Sequence, residues 1–198
     1  MRNHLLLAAV LAACSGFVAS ANAQAVLSID PTTQTTSTGT VVTVDVDVAN
    51  VTDLYGYQFD LTFNPNILQA VSSSEGSFLS SGGSTFFING SNDNVGGTVS
   101  ATAGSLLSAV SGVGGSGQLA VFTFDAIGNG TSALAIQNEM LLDSNINILS
   151  DTTTGGSVTV ASATVQAPEI DPGSTVSALT LLIGGLAVLR GRSKESQK

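Results

Sequence analysis

Val41-Val42-Thr43-Val44-Asp45-Val46-Asp47-Val48 alternates apolar and polar residues, and a second run, Tyr57-Gln58-Phe59-Asp60-Leu61-Thr62-Phe63, repeats the pattern with aromatics. A period of two sends successive side chains to opposite faces of an extended strand, one buried and one wetted. Val42, Val44, Val46 and Val48 are thereby assigned to a core, together with Tyr57, Phe59, Leu61 and Phe63, while Asp45 and Asp47 face water. Asn64-Pro65-Asn66 closes the second strand, because proline has no ladder proton and asparagine favours turns.

Outward from this pair, further strands are predicted over residues 25–29, 67–71, 85–88, 98–103, 118–126, 132–136, 140–142, 146–149 and 157–160. Turn signals stand between them at Asn89-Gly90, Gly96-Gly97, Asn129-Gly130 and Gly155-Gly156. Residues 104–117 read as a flexible connection with one helical turn at 105–110. Many short strands with closely spaced turns predict an all-β antiparallel sandwich, two sheets burying their alternating residues against each other.

Charge divides the chain more sharply than hydropathy does. Every cation lies at an end: Arg2 at the start, then Arg190, Arg192, Lys194 and Lys198. Met1 to His4 form a short cationic start, an apolar run follows, and Ala21-Asn22-Ala23 supplies the small residues of a signal-peptidase site, so cleavage is expected between Ala23 and Gln24. Leu11-Ala12-Ala13-Cys14 also has the form of a lipobox, with Cys14 as the acylated residue. Residues 175–189 are uncharged and mostly apolar; at about 1.5 Å per helical residue they reach roughly 22 Å, which inserts in a roughly 30 Å hydrocarbon layer with snorkelling by Arg190 and Arg192. The expected organisation is a signal peptide over 1–23, one sandwich domain over 24–163, a linker over 164–174, a hydrophobic helix over 175–189 and a basic cytoplasmic tail over 190–198. The implied location is the cell envelope, cell surface or extracellular matrix, with initial anchoring through the C-terminal helix.

The body between the two ends has no His, Cys, Lys, Arg or Trp. A Ser-His-Asp or Cys-His system has no base there, zinc has none of its usual N and S ligands, and no cation is present to hold a phosphate. Nucleic acid, whose binding needs Lys and Arg to displace counterions from the phosphates, is excluded as a partner. Paired carboxylates are the one catalytic option, and Asp45 and Asp47 are better explained as the wetted face of a strand. No catalytic residue, metal or cofactor is assigned. Asp143-Ser144-Asn145-Ile146-Asn147 opens like a calcium loop but has Ile148 at the sixth position and Thr154 at the twelfth, so it is read as a turn, as is Ser91-Asn92-Asp93-Asn94. Asn50, Asn89 and Asn129 head formal glycosylation sequons.

Two resemblances follow from these residues. Pro168-Glu169, the apolar segment containing Gly184-Gly185-Leu186, and the Arg190 and Arg192 cluster together resemble the PEP-CTERM sorting signal, which implies handling by a membrane exosortase. Ile170-Asp171-Pro172 departs from the commonest form, where a second proline follows Glu169 directly.

Residues 39–71, with Phe63-Asn64-Pro65-Asn66-Ile67-Leu68 matching an aromatic-(Asp or Asn)-Pro-x-aliphatic-Leu turn, resemble the opening of a cohesin domain. Residues 117–124, Gly130, Leu134 and residues 155–160 resemble its later strands. The resemblance implies a jelly-roll sandwich of about nine strands and a protein-recognition role, with a dockerin-like or envelope protein as partner. It implies a partner-binding sheet face, for which the outward residues Gln58, Asp60 and Thr62, and on the later strand Leu119, Val121 and Thr123, are candidates; the opposite assignment of faces satisfies the same pattern. Gln58 stands where cellulosomal cohesins tend to carry an acidic contact residue. Carbohydrate-binding modules of similar shape share these core demands, which leaves extracellular polysaccharide binding or catabolism as the alternative, with Tyr55 and Tyr57 as the sugar platform.

Overall fold

A computed structural model describes residues 24–162. The expectations for the signal peptide and Cys14, the Pro168-Glu169 motif, the hydrophobic run and Arg190 and Arg192 lie outside the described residues. Twelve strands and one short helix follow in the order β1 (Ala25–Asp30), β2 (Thr33–Ser37), β3 (Val41–Leu54), β4 (Gly56–Thr62), β5 (Leu68–Glu75), α1 (Ser77–Ser80), β6 (Thr85–Asp93), β7 (Thr98–Leu106), β8 (Val113–Ala126), β9 (Gly130–Leu142), β10 (Ile148–Leu149), β11 (Asp151–Thr154) and β12 (Gly156–Ala161).

They form a β-sandwich. The five-stranded sheet runs β11-β1-β3-β8-β5, and the seven-stranded sheet runs β2-β12-β9-β4-β7-β6 with β10 paired to β9. The N-terminal segment changes sheet at Pro31, so β1 joins one layer and β2 the other. Both then pair in parallel, β1 with β11 and β2 with β12, where antiparallel pairing was expected.

The two alternating runs supply the two halves of the core. Val42, Val44, Val46 and Val48 of β3 are all buried, as are Tyr57, Phe59 and Leu61 of β4 in the opposite layer. Phe59 meets Phe122 of β8 at 6.0 Å between ring centroids, and Phe63 meets Phe124 edge-on at 5.2 Å. Such tilted pairs contribute about 0.5–1.5 kcal/mol each beyond their buried area. The Tyr57 hydroxyl crosses the core to donate to the Leu119 carbonyl at 2.7 Å; burial first, and then Glu75, push its ionisation well above the usual phenol range.

Several local expectations are corrected. Asn89-Gly90 is no turn but the interior of β6, with Gly90 at φ 78, and a Cβ there would meet Thr102 Oγ1 at 2.6 Å. The hairpin turn falls later, where Asp93 Oδ1 accepts from the amides of Val95 and Gly96 and the Asp93 carbonyl accepts from Gly97. The helical turn predicted at 105–110 is absent: β7 runs to Leu106, and among the described residues the one helix is α1. The separate strands at 132–136 and 140–142 are parts of β9, which is interrupted by a register shift.

The β5 and β6 edges are joined by side chains instead of a ladder. Asn94 both donates to the Ala70 carbonyl (3.0 Å) and accepts from its amide (2.7 Å), Asn92 donates to Val71 O (3.3 Å), and Asn89 and Ser73 exchange hydrogen bonds. Edge strands with free backbone groups invite pairing with other chains, and these amides occupy those groups. The segment read as an Asp/Asn turn therefore supplies both the turn and an edge clamp.

Candidate recognition face

The register across the seven-stranded sheet aligns two rows on its outer face. Phe86 stands opposite Ser105, Ser105 opposite Gly56 and Gly56 opposite Leu142; one step along, Ile88, Ala103, Gln58 and Met140 face one another in turn. Directly opposed residues share a face of the sheet. The middle strands present Gly56, Ala103 and Ser105, which are short, together with the exposed and polar Gln58, whereas the flanking strands present Phe86, Ile88, Met140 and Leu142, which are long and apolar. The result is a shallow groove of about 190 Å³ with a floor on β4 and β7 and walls on β6 and β9. Its walls are apolar and open to solvent: Phe86 is 57%, Ile88 47% and Met140 36% exposed. Contiguous exposed apolar surface of this kind marks interaction sites.

Asp60 fixes the sheet beside this groove. Both neighbouring strands shift register against β4, β7 after Phe59 and β9 after Gln58. At the shifts, Ala101 and Asn138 take φ of 55 and 51. The Asp60 carboxylate receives the Ala101 amide on one oxygen and the Asn138 side-chain amide on the other, each at 2.7 Å. A carboxylate bonded in this way holds two bulges at once.

The six residues expected to form one face do not come together. Gln58 is exposed on the groove floor, and Asp60 and Thr62 are half-buried on the same strand, Thr62 donating to Ala135 O at 3.2 Å. Val121 and Thr123 lie on β8, in the other sheet, so they look out from the opposite side of the sandwich. Leu119, expected to face out, is 1% exposed. The register between β3 and β8 slips between Val46 and Asp47, which pair with Ala120 and Gln118, so Leu119 is the extra residue of a bulge and both it and Ala120 turn inward.

The groove walls went unrecognised in the sequence. Their signal is Phe86-Phe87-Ile88, an unbroken apolar run where the other strands alternate, which means a strand apolar on both faces. The proposed sugar platform is absent: Tyr57 is 3% exposed, and Tyr55 packs against the core with its hydroxyl donating to Ser108 O at 2.8 Å. Asp45 and Asp47 lie on the outer face of the five-stranded sheet, in register with Asp30 and Ser28 of β1. Burial, then Asp30, then Asp45 raise the Asp47 carboxyl above its usual value. Asp143 closes its own turn, accepting from the Asn145 and Asn147 amides at 2.8 Å and from Asn147 Nδ2 at 2.9 Å.

The two sheets, joined across the core by the Phe59–Phe122 and Phe63–Phe124 pairs, form a double-sheet sandwich of the jelly-roll kind. The cohesin domain family model matches residues 26–160, and the chain belongs to that family. Among solved structures, a non-cellulosomal cohesin from the archaeon Archaeoglobus fulgidus is similar at 18% identity, over 71% of this chain and 93% of that one, with a TM-score of 0.56. The sixth cohesin of Acetivibrio cellulolyticus scaffoldin B, solved with the Cel5 dockerin, is 19% identical over 70% of this chain and 99% of its own, with a TM-score of 0.56. A Clostridium thermocellum cohesin, solved as the Coh-OlpA-Doc918 complex, is 12% identical over 70% and 99%, with a TM-score of 0.57. No curated protein sequence gives a significant match.

Proposed function

We propose that this chain is an exported, surface-sorted and non-enzymatic recognition module that binds a dockerin-like protein through the grooved face of its seven-stranded sheet. The carrying observation is the two-row register that brings Phe86, Ile88 and Met140 around a floor of Gly56 and Ala103. Family membership and the dockerin complexes of its structural neighbours support a protein partner. Export and sorting rest on the sequence at the two ends: Ala21-Asn22-Ala23 before Gln24, and Pro168-Glu169, the apolar run and the Arg190 and Arg192 cluster. Processing by an exosortase-type enzyme at the membrane is what the resemblance of that layout to the PEP-CTERM signal implies.

The test is biolayer interferometry of the full chain against a panel of dockerin modules, wild type beside Phe86→Asp. A carboxylate at a buried apolar anchor costs binding about a hundredfold. The expected result is saturable binding by wild type and its loss in the variant with the melting temperature unchanged. Equal binding by both proteins removes the groove from the recognition site.

A further inference from the structure

The fold treats the Asn-x-Ser/Thr triplets headed by Asn50, Asn89 and Asn129 differently. We infer that Asn50-Val51-Thr52 is a glycan acceptor, and that the first sugar joined to Asn50 seats in the neutral cleft beside it. The ligand class is an uncharged pyranose delivered from a lipid-linked pyrophosphate donor. Acceptance of a glycan requires export of the chain and nothing further from the recognition reading.

Backbone geometry singles out Asn50. Between β3 and β8 the register moves from Val48 opposite Gly117 to Val51 opposite Gly115, so β3 takes three residues where β8 takes two. Asn50 lies in that bulge with φ 61, a left-handed conformation that asparagine tolerates better than most side chains. Its backbone amide donates to the Ser116 hydroxyl at 3.3 Å, which holds the bulge. Val51 is buried and anchors the triplet in the core, while Asn50 and Thr52 are exposed on either side of it. Among the described residues, neither the Asn50 carboxamide nor the Thr52 hydroxyl makes a hydrogen bond. The other two triplets are engaged. Asn89 Nδ2, the atom that would carry the sugar, donates to Ser73 O at 3.1 Å in the clamp between β5 and β6. Asn129 Oδ1 accepts from Thr38 Oγ1 at 2.6 Å, and the Thr131 hydroxyl shares a hydrogen bond with Thr159 Oγ1 at 3.0 Å.

Asn50 and Thr52 open onto a cleft of about 400 Å³, which Gln24, Ala25, Val51, Leu149 and Ser150 complete. None of these side chains is charged, although residues 24–162 carry eleven carboxylates. Ala25 and Val51 give the cleft apolar surface, and Gln24 Nε2 donates to Ser150 Oγ at 3.0 Å, which leaves the Ser150 proton to donate outward. Apolar walls with a few placed polar groups fit the C–H face and hydroxyl rim of a neutral sugar. In the transfer, Asn50 Nδ2 bonds to C1 of the sugar as the C1–O bond to the donor pyrophosphate breaks. The lipid pyrophosphate leaves with that electron pair, and one Nδ2 proton passes to the membrane transferase.

The test is mass spectrometry of the full chain isolated from the cells that make it. Residues 3–189 hold no Lys or Arg, so the chain is cut before Asp, which places the three triplets on separate peptides, 47–52, 60–92 and 125–142. The expected result is a sugar mass on 47–52 alone, lost completely in Asn50→Gln and in Thr52→Ala and retained in Thr52→Ser. Backbone hydrogen exchange at Ala25 and Leu149 should be slower in the modified chain than in Asn50→Gln, because the sugar covers them. An unmodified 47–52 peptide in a chain whose signal peptide has been removed overturns the acceptor and leaves export standing. An unmodified chain that still begins at Met1 overturns export and the acceptor with it. A sugar on 60–92 or 125–142 in place of 47–52 overturns the assignment to Asn50, and a sugar on 47–52 with unchanged exchange overturns its seat in the cleft.

Discussion

The two outer faces of this sandwich are built on the same alternating pattern and have opposite characters. On the five-stranded sheet the outward positions carry Asp30, Asp45, Asp47 and Asp125 among Ser28, Thr43 and Thr123. On the seven-stranded sheet the rows around the groove carry Phe86, Ile88, Ala103, Met140 and Leu142, and the nearby carboxylate, Asp60, is consumed by two hydrogen bonds. With no cation among residues 24–162, neither face can neutralise charge by pairing. Solubility is thus concentrated on one layer, which lets the other layer expose apolar surface without precipitating the domain.

The largest effect that could break this contrast is on binding. Phe86→Asp transfers the character of one face to the other and is expected to cost about a hundredfold in affinity, as a buried anchor does. Asp45→Asn makes the reverse change on the acidic face and should leave dockerin affinity within about twofold, since rim and remote charges act mainly on association rate. Interferometry on the two variants side by side decides it. A larger loss from Asp45→Asn than from Phe86→Asp would put recognition on the five-stranded sheet.

The next effect concerns stability and separates carboxylates by their work. Asp60 ties two bulges together, so Asp60→Ala is expected to lower unfolding free energy by roughly 2 kcal/mol, the range for lost hydrogen bonds to a charged group at a half-buried site. Asp125→Ala, with no comparable partners in the sheet, should change it by less than about 0.5 kcal/mol. Urea unfolding with a common slope measures both. If the two substitutions cost the same, Asp60 is merely a wetted strand residue.

How much of this was legible follows from what each residue depends on. Val42 to Val48 and Tyr57 to Phe63 showed their buried sides directly, because a strand between water and a core must alternate wherever it pairs. What failed depended on partners distant in the chain. Leu119 looked outward because alternation was counted back from Phe122 and Phe124, and the bulge that turns it inward is set by its register against Val46 and Asp47. Gln58 and Thr123 look alike in sequence, yet β4 and β8 belong to different layers, which no local pattern records. Asn94 was read correctly as a turn residue, whereas Asn92 lies in β6; the bonds of both to Ala70 and Val71 reach an edge strand more than twenty residues earlier. Phe86-Phe87-Ile88 was visible as a strand, and its unbroken apolar run marks both faces as apolar; that Phe86 and Ile88 wall a groove depends on β7, β4 and β9, which lie elsewhere in the chain.

The smallest effect sharpens the comparison through pH. On the acidic face Asp47 has its carboxyl raised by burial, then by Asp30 and Asp45, and at the β1 edge Asp151 is raised by burial and then by Glu139. A folded pKa above the unfolded value of 3.8 means that ionisation opposes folding at neutral pH, and that the penalty disappears as pH falls through the folded pKa. Asp53, Asp93 and Asp143 are lowered, chiefly by hydrogen bonds from Ser144, the Gly96 amide and the Asn147 side chain respectively, so their contribution is present above 3.8 and lost as pH falls below it. Stability should therefore rise as pH falls from 7 through the raised folded values of Asp47 and Asp151, and then fall as pH drops through the lowered values of Asp53, Asp93 and Asp143. Asp47→Asn removes one of the opposing charges, so it should stabilise by roughly a few tenths of a kcal/mol at pH 7, because a partly exposed charge is well screened, and by nothing at pH 3. Urea midpoints for wild type and variant at both values test the sign: a variant less stable at pH 7 would mean that the acidic face is held together by Asp47 and not strained by it.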